Sequence, residues 1–129
     1  LNKKERTATK KFLIELKETV GSIKHSKLIH DDLLDCHILI NKKHTQLSGV
    51  IDFSDRAIGD PALDFSALWD YGEKFIQDVA IHYGPNSNFL LRKALVYNKR
   101  RALYVMVHAL DDKKYSWKDG YTRFRKLFF

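Results

Sequence analysis

The chain has a single cysteine, Cys36, a single methionine and only two prolines among 129 residues. One cysteine excludes an intrachain disulfide and fits a reducing, cytoplasmic setting. No apolar run approaches the ~20 residues needed to span a membrane as a helix. The opening "LNKKERTATKKF" has neither an apolar core segment nor a cleavage site, so it does not read as a secretory signal. The six glycines stand far apart and form no phosphate-cradling pattern. There is no internal repeat and no low-complexity tract. Leu1 stands where an initiator methionine would, which we take to mark a fragment. What is present suffices for a folded core: 44% hydrophobic residues, including eight Phe, six Tyr and two Trp.

The net charge of +7 is unevenly spread. Residues 1–29 carry eight Lys/Arg against three Glu, and residues 83–129 carry eleven against three Asp. Between them, residues 30–82 carry ten Asp/Glu against four Lys/Arg, a net −6. An acidic island between basic flanks suits a metal ion or a cationic ligand. The flanking bases are spread along helical segments as solvated faces, and no aromatic–arginine interleaving on a strand points to nucleic acid. We therefore expect neither a nucleic-acid nor a membrane partner.

Periodicity gives the order of elements. Ala8, Phe12, Leu16 and Val20, with Leu13, recur at helical spacing over residues 4–20, and Gly21-Ser22 ends that helix. "KLIH" reads as a short buried strand or the approach to one. "HILI" (37–40) and "LSGVIDF" (47–53) read as a hairpin around the polar turn "NKKHTQ". "SDRAIGDPALD" reads as a long loop, with Asp60 capping a helix that starts at Pro61 and breaks near Gly72. Residues 89–110 read as a long helix, buried toward its end, and "YTRFRKLFF" as a short terminal helix. This predicts one domain over residues 1–129, with a core at 28–83 and a helical remainder at 84–129.

The chemistry concentrates in "LIHDDLLDCHILI", residues 28–40, where His30, Asp31, Asp32, Asp35 and His37 lie between apolar segments. Charges beside a core are costly unless paired, hydrogen-bonded or metal-bound. The stretch follows the catalytic-loop pattern H-R-D-L-x-x-x-N, and Asp52-Phe53-Ser54 stands downstream in place of D-F-G. Phosphoryl transfer is mostly positioning and charge neutralisation. It needs one carboxylate to take the proton of the attacking hydroxyl, for which we assign Asp32. It also needs oxygen ligands for Mg²⁺, for which we assign Asp52, with His37 completing or supporting the metal sphere. His25, His44, His82 and His108 match no metal spacing and receive no role, and Cys36 reads as a small filler.

"HDDLLDCHILI…GVIDFSDRAIGDPALDF" resembles the C-terminal lobe of the aminoglycoside phosphotransferase family, most nearly its 2''-phosphotransferase branch, over residues 28–83. The resemblance implies an α+β fold: a mainly helical kinase-like C-lobe with a short β-hairpin carrying the catalytic and metal-binding loops. It implies transfer of the γ-phosphate of ATP or GTP, with Mg²⁺, to a hydroxyl of a small cationic substrate such as an aminoglycoside. It implies Asp32 as catalytic base and His37 and Asp52 at the metal. Asp55, Asp70 and Glu73 are implied to face the substrate's ammonium groups, and His30, Asp60 and Asp64 to support the loops. A role in antibiotic resistance would follow from such a substrate.

The sequence departs from the family pattern in three places. Asp31 adds a negative charge beside Asp32, and Ser54 replaces the glycine of D-F-G. No Gly-rich loop or strand lysine of an N-lobe occurs in these residues. We therefore expect the N-lobe of the same parent protein as a partner, and this chain alone to be inactive. Two other readings stay open: a kinase for choline, homoserine or an amino sugar, and a non-catalytic, pseudokinase-like binding module.

Overall fold

In the computed structural model, which describes residues 1–22, 26–43 and 45–129, the chain divides into two compact units. One comprises Lys24–Ala94; the other comprises Leu1–Ile23 with Leu95–Phe129. His25 and His44 lie outside the described residues.

The first unit is built on two antiparallel ribbons, one nested in the other along the sequence. Strand β1 (Lys27–Ile29) pairs with β4 (Ala57–Gly59), and β2 (Ile38–Ile40) pairs with β3 (Leu47–Val50). Leu28 faces Ile58 across the outer ribbon, and Ile38 faces Val50 across the inner one, whose register shifts at Leu39/Ile40. The consequence is functional. The chain passes between the ribbons twice, once through residues 30–37 and once through residues 51–56, and these passages hold the two acidic motifs. Strand β4 replaces part of the expected loop. Its three residues are too few for a period-2 pattern, and pairing with β1 is what defines them. β1 itself is not a buried strand: of its residues only Ile29 is buried.

Helix α2 (Ala62–Leu68) follows Pro61 and buries Ala62, Phe65, Ala67 and Leu68. A 3₁₀ turn at Trp69–Tyr71 ends at Gly72, whose φ of 99° favours glycine, and α3 (Glu73–Tyr83) begins there. Ile76 and Ala80 form its buried stripe at i, i+4 spacing, and Phe65 meets Tyr83 edge-on at 5.1 Å between centroids. Helix α4 (Ser87–His108) begins in this unit and continues into the other.

In the second unit α1 (Lys3–Gly21) and α5 (Trp117–Phe128) accompany the later turns of α4. Ala102, Met106 and the fully buried Phe124 form its centre, where burying a ring of that size contributes about 1.5–3 kcal/mol. A Cβ on Gly120 would lie 2.9 Å from the Met106 backbone nitrogen, so this crossing of α5 over α4 requires glycine. Asn2 and Glu5 form a reciprocal capping box, and the buried Glu5 also accepts from Tyr121 Oη at 2.7 Å and Arg125 Nη1 at 3.0 Å. The Asn2 backbone amide is the main reason the Glu5 carboxyl is held below its usual pKa, with Tyr121 and Arg125 adding to it.

Two expectations about helical faces are corrected. On α1, Phe12 is buried but Leu13 and Val20 are exposed, because the buried stripe runs through Glu5 and Phe12. On α4, Tyr104 and Val107 are exposed, and so is Leu110 beyond the helix end. The buried strip there is only as wide as Ala102 and Met106, one turn apart.

Candidate active site

The passage from β1 to β2 is shaped by the side chains of its own histidines. His30 is buried; its Nε2–H donates to the Ile51 carbonyl at 2.8 Å, which leaves Nδ1 to accept the Asp32 amide at 3.3 Å. The two passages are thereby tied together just before Asp52. A 3₁₀ turn over Asp35–His37 returns the chain to β2. Its last residue, His37, uses Nδ1–H to donate to the Asp32 carbonyl at 2.8 Å, and the Ile51 amide donates to the His37 carbonyl at 3.0 Å. Each bond thereby orients its ring and selects the tautomer that a neutral imidazole would take there.

The arrangement places His37 between two carboxylates. Its Nδ1 lies 3.6 Å from Asp32 Oδ2, and its Nε2 lies 3.6 Å from Asp52 Oδ2. The ring is mostly covered while Asp32 and Asp52 are 38% and 50% exposed, so both acids can meet a ligand. The His30 ring stacks over His37 at 5.9 Å and contacts Phe53 at 4.5 Å, closing the side away from solvent.

Two residues here adopt left-handed backbone: Asp31 and Asp52, each with φ 62°. A short polar side chain is among the few that tolerate this region, at a cost of order 1–3 kcal/mol outside glycine. Each is held from outside. Asp64, in the first turn of α2, accepts the His30 amide at 3.0 Å with Oδ2 and the Asp31 amide at 2.9 Å with Oδ1. Asp52 Oδ1 accepts from Ser54 Oγ at 2.7 Å. Asp60 caps α2 by accepting the Ala62 amide at 3.1 Å, and its other oxygen pairs with Lys93.

The Ser54 hydroxyl and then the Ser54 amide hold the Asp52 carboxyl below its usual pKa, with smaller help from His37 and His30. Asp52 therefore gives up its charge at a lower pH than an ordinary aspartate, and what ionisation contributes is lost as pH falls through that lowered pKa. Ser54→Ala removes the largest cause. The Asp52 titration midpoint, followed by NMR of its side-chain carboxyl, is expected to rise toward the ordinary value. An unmoved midpoint would assign the depression elsewhere.

A Mg²⁺ ion held with a nucleotide keeps several waters and takes one or two protein ligands plus phosphate oxygens. Among the described residues no group of three His, Cys, Asp or Glu converges on one point. The His37 Nε2 and the Asp52 Oδ2 nevertheless lie 3.6 Å apart. This two-donor set fits a metal whose remaining ligands come from nucleotide and water.

Asp55, Asp70 and Glu73 are all exposed. Asp55 lies in the turn after Ser54, and Asp70 in the 3₁₀ turn after α2. Glu73 opens α3 and accepts from Gln77 Nε2 at 3.1 Å. Asp55 and Glu73 stand outside the hydrogen-bonded group around His37. Burial raises the pKa of Tyr71 first, and the charges of Asp35 and Asp70 raise it further, so the catalytic-loop side and the 3₁₀ turn present acid to one phenol. Sequence reasoning missed two contributors. Ser54 was legible as a local i, i+2 partner of Asp52. Lys93, 33 positions from Asp60 and inside a regular helix, had no local signal.

Two acidic passages between nested ribbons, followed by helices, define a mainly helical kinase-like C-lobe. The phosphotransferase enzyme family model (APH) matches residues 4–97, and the chain belongs to that family. Among solved structures, the GDP complex of wild-type aminoglycoside 2'-phosphotransferase-IIIa is 24% identical with a TM-score of 0.81, over 98% of this chain. The GDP and kanamycin complex of APH(2")-IIia is 25% identical with a TM-score of 0.82. ADP-bound aminoglycoside phosphotransferase APH(2'')-Ib is 20% identical with a TM-score of 0.65. The chain spans 44–45% of the length of these proteins. No curated protein matches the sequence. No helix among the described residues is long and apolar enough to cross a membrane.

Proposed function

We propose that the protein carrying this chain is a small-molecule kinase. It moves the γ-phosphate of ATP or GTP to a hydroxyl of a cationic substrate, with an aminoglycoside as the leading class. The observation that carries this reading is His37 placed between Asp32 and Asp52, each carboxylate 3.6 Å from a different ring nitrogen.

In this mechanism Asp32 orients the attacking hydroxyl and takes its proton as the oxygen–phosphorus bond forms and the bond to the β-phosphate oxygen breaks. His37 holds the Asp32 backbone through Nδ1 and offers Nε2 on its other side. Asp52 and His37 Nε2 would hold Mg²⁺, which supplies charge neutralisation at the phosphates when bound. Asp55, Asp70 and Glu73 would draw in the ammonium groups of the substrate. The 129 residues contain no Gly-rich loop followed by the strand lysine of an N-lobe, and we infer that the chain alone binds nucleotide weakly and turns over little. The kinship with kanamycin-bound and nucleotide-bound structures supports both ligand classes.

The substrate class is tested on the whole protein with Asp70→Asn/Glu73→Gln. KM for a polycationic aminoglycoside is expected to rise about tenfold or more while KM for the nucleotide stays within about twofold. Equal KM values in parent and variant would remove these acids from the substrate site. Phosphorylation of choline or a neutral sugar in preference to aminoglycosides would move the protein to another branch of small-molecule kinases.

A further inference from the structure

We propose that Ser54 is a positioning residue for the metal: its hydroxyl engages one oxygen of Asp52, leaves the other on the His37 side, and so favours Mg²⁺ over larger divalent cations. The inference rests on the reading of Asp52 as the metal-binding carboxylate.

Ser54 stands where the D-F-G pattern has glycine, which has no side chain to offer. It is exposed and, unlike Asp52, takes no left-handed backbone. Neither burial nor conformation therefore calls for serine here. Its hydroxyl instead donates to Asp52 Oδ1 at 2.7 Å, the short distance of a hydrogen bond to a charged acceptor. The Ser54 amide bonds the same carboxylate, but any residue except proline supplies that bond; the hydroxyl is what serine adds. Asp52 Oδ2 lies 3.6 Å from His37 Nε2. One oxygen thus belongs to the serine and the other to the imidazole side.

The backbone around Asp52 is held by other groups. The Ile51 carbonyl is bonded by His30 Nε2 at 2.8 Å. The Phe53 carbonyl accepts from the Arg56 amide at 3.2 Å and from Arg56 Nη1 at 2.9 Å, and the Phe53 ring lies 4.5 Å from that of His30. The Ser54 hydroxyl therefore acts on the Asp52 side chain alone, restraining the rotation of a half-exposed carboxylate.

The restraint bears on the choice of cation. Ca²⁺ takes a carboxylate through one oxygen or both in flexible geometry, whereas Mg²⁺ demands a near-ideal octahedron. An untethered Asp52 can turn both oxygens to a large ion. With Oδ1 engaged, two-oxygen binding costs the Ser54 hydrogen bond, and binding through Oδ2 alone does not. Hydrogen-bond partners of a ligand carboxylate are typically worth about 10- to 100-fold in metal affinity.

The test compares the whole protein with Ser54→Ala and with Ser54→Thr, which keeps the hydroxyl. ADP and GDP are titrated by calorimetry in Mg²⁺ and in Ca²⁺. Three-bond couplings to the Asp52 Cβ protons are measured without metal. The ratio of the nucleotide Kd in Ca²⁺ to that in Mg²⁺ is expected to fall about tenfold in Ser54→Ala and to stay within about twofold of the parent in Ser54→Thr. The couplings are expected to report one Asp52 rotamer in the parent and in Ser54→Thr, and averaging between rotamers in Ser54→Ala.

A parental Kd ratio in Ser54→Ala would overturn the proposal. So would parental couplings in that variant, or a loss in Ser54→Thr equal to that in Ser54→Ala. A parent protein that binds neither nucleotide with either ion would defeat the kinase reading and the metal preference with it, while the couplings would still decide whether Ser54 positions Asp52.

Discussion

Asp32→Asn in the whole protein is expected to lower phosphoryl transfer by about 10²- to 10⁴-fold, the usual worth of a positioned general base. Nucleotide affinity in the presence of Mg²⁺ is expected to stay within about twofold, because the substitution keeps the size of the side chain and leaves Asp52 intact. The geometry explains the separation of effects. The Asp32 backbone is held by the His30 ring, by His37 and by the turn amide of Leu34, none of which uses the Asp32 carboxylate. The variant should therefore keep the loop in place and lose only the group that accepts the proton. Single-turnover measurement beside a nucleotide-binding titration checks both halves. A parental rate would remove Asp32 from the chemistry.

Asp52→Ala should act on the other ligand. Ser54 lowers the pKa of the half-exposed Asp52 carboxylate, which lies 3.6 Å from His37 Nε2. Removing it is expected to weaken Mg²⁺-dependent nucleotide binding by at least about tenfold and to leave metal-free binding nearly unchanged. Titration of the nucleotide with Mg²⁺ and with a chelator distinguishes the two. Equal Mg²⁺-dependent affinity in variant and parent would take Asp52 out of the metal site. The substitution also removes a non-glycine residue with φ 62°, and alanine tolerates that region less well than aspartate. Circular dichroism should therefore accompany the titration.

The nearness of four candidate residues was readable before the fold. The spacing of His30, Asp32, His37 and Asp52 follows a pattern whose chemistry requires those residue types, and the structure brings the four into one hydrogen-bonded and charged group. Other features were beyond sequence. Strand β4 has three residues and is defined by its partner β1, so no periodicity could announce it. The Lys93–Asp60 pair joins residues 33 positions apart, and Lys93 looks like any solvated helix lysine until packing buries it. The left-handed backbone at Asp31 and Asp52 is likewise invisible in composition. It explains why aspartate, with its short polar side chain, is tolerated between His30 and Asp32. The helical faces were read too broadly: Leu13, Val20, Tyr104 and Val107 recur at helical spacing yet face solvent, because the stripes that pack are only one or two side chains wide.

The most direct measurement of the central claim is phosphate transfer by the whole protein carrying this chain. Mg–ATP and Mg–GTP would be offered with aminoglycosides, choline and amino sugars, and Asp32→Asn would be assayed in parallel. Transfer to a polycationic aminoglycoside that disappears with Asp32→Asn is the expected result. A folded protein that transfers phosphate to none of these and binds no Mg–nucleotide would contradict it, and would leave His37 between its two carboxylates as the architecture of a binding module.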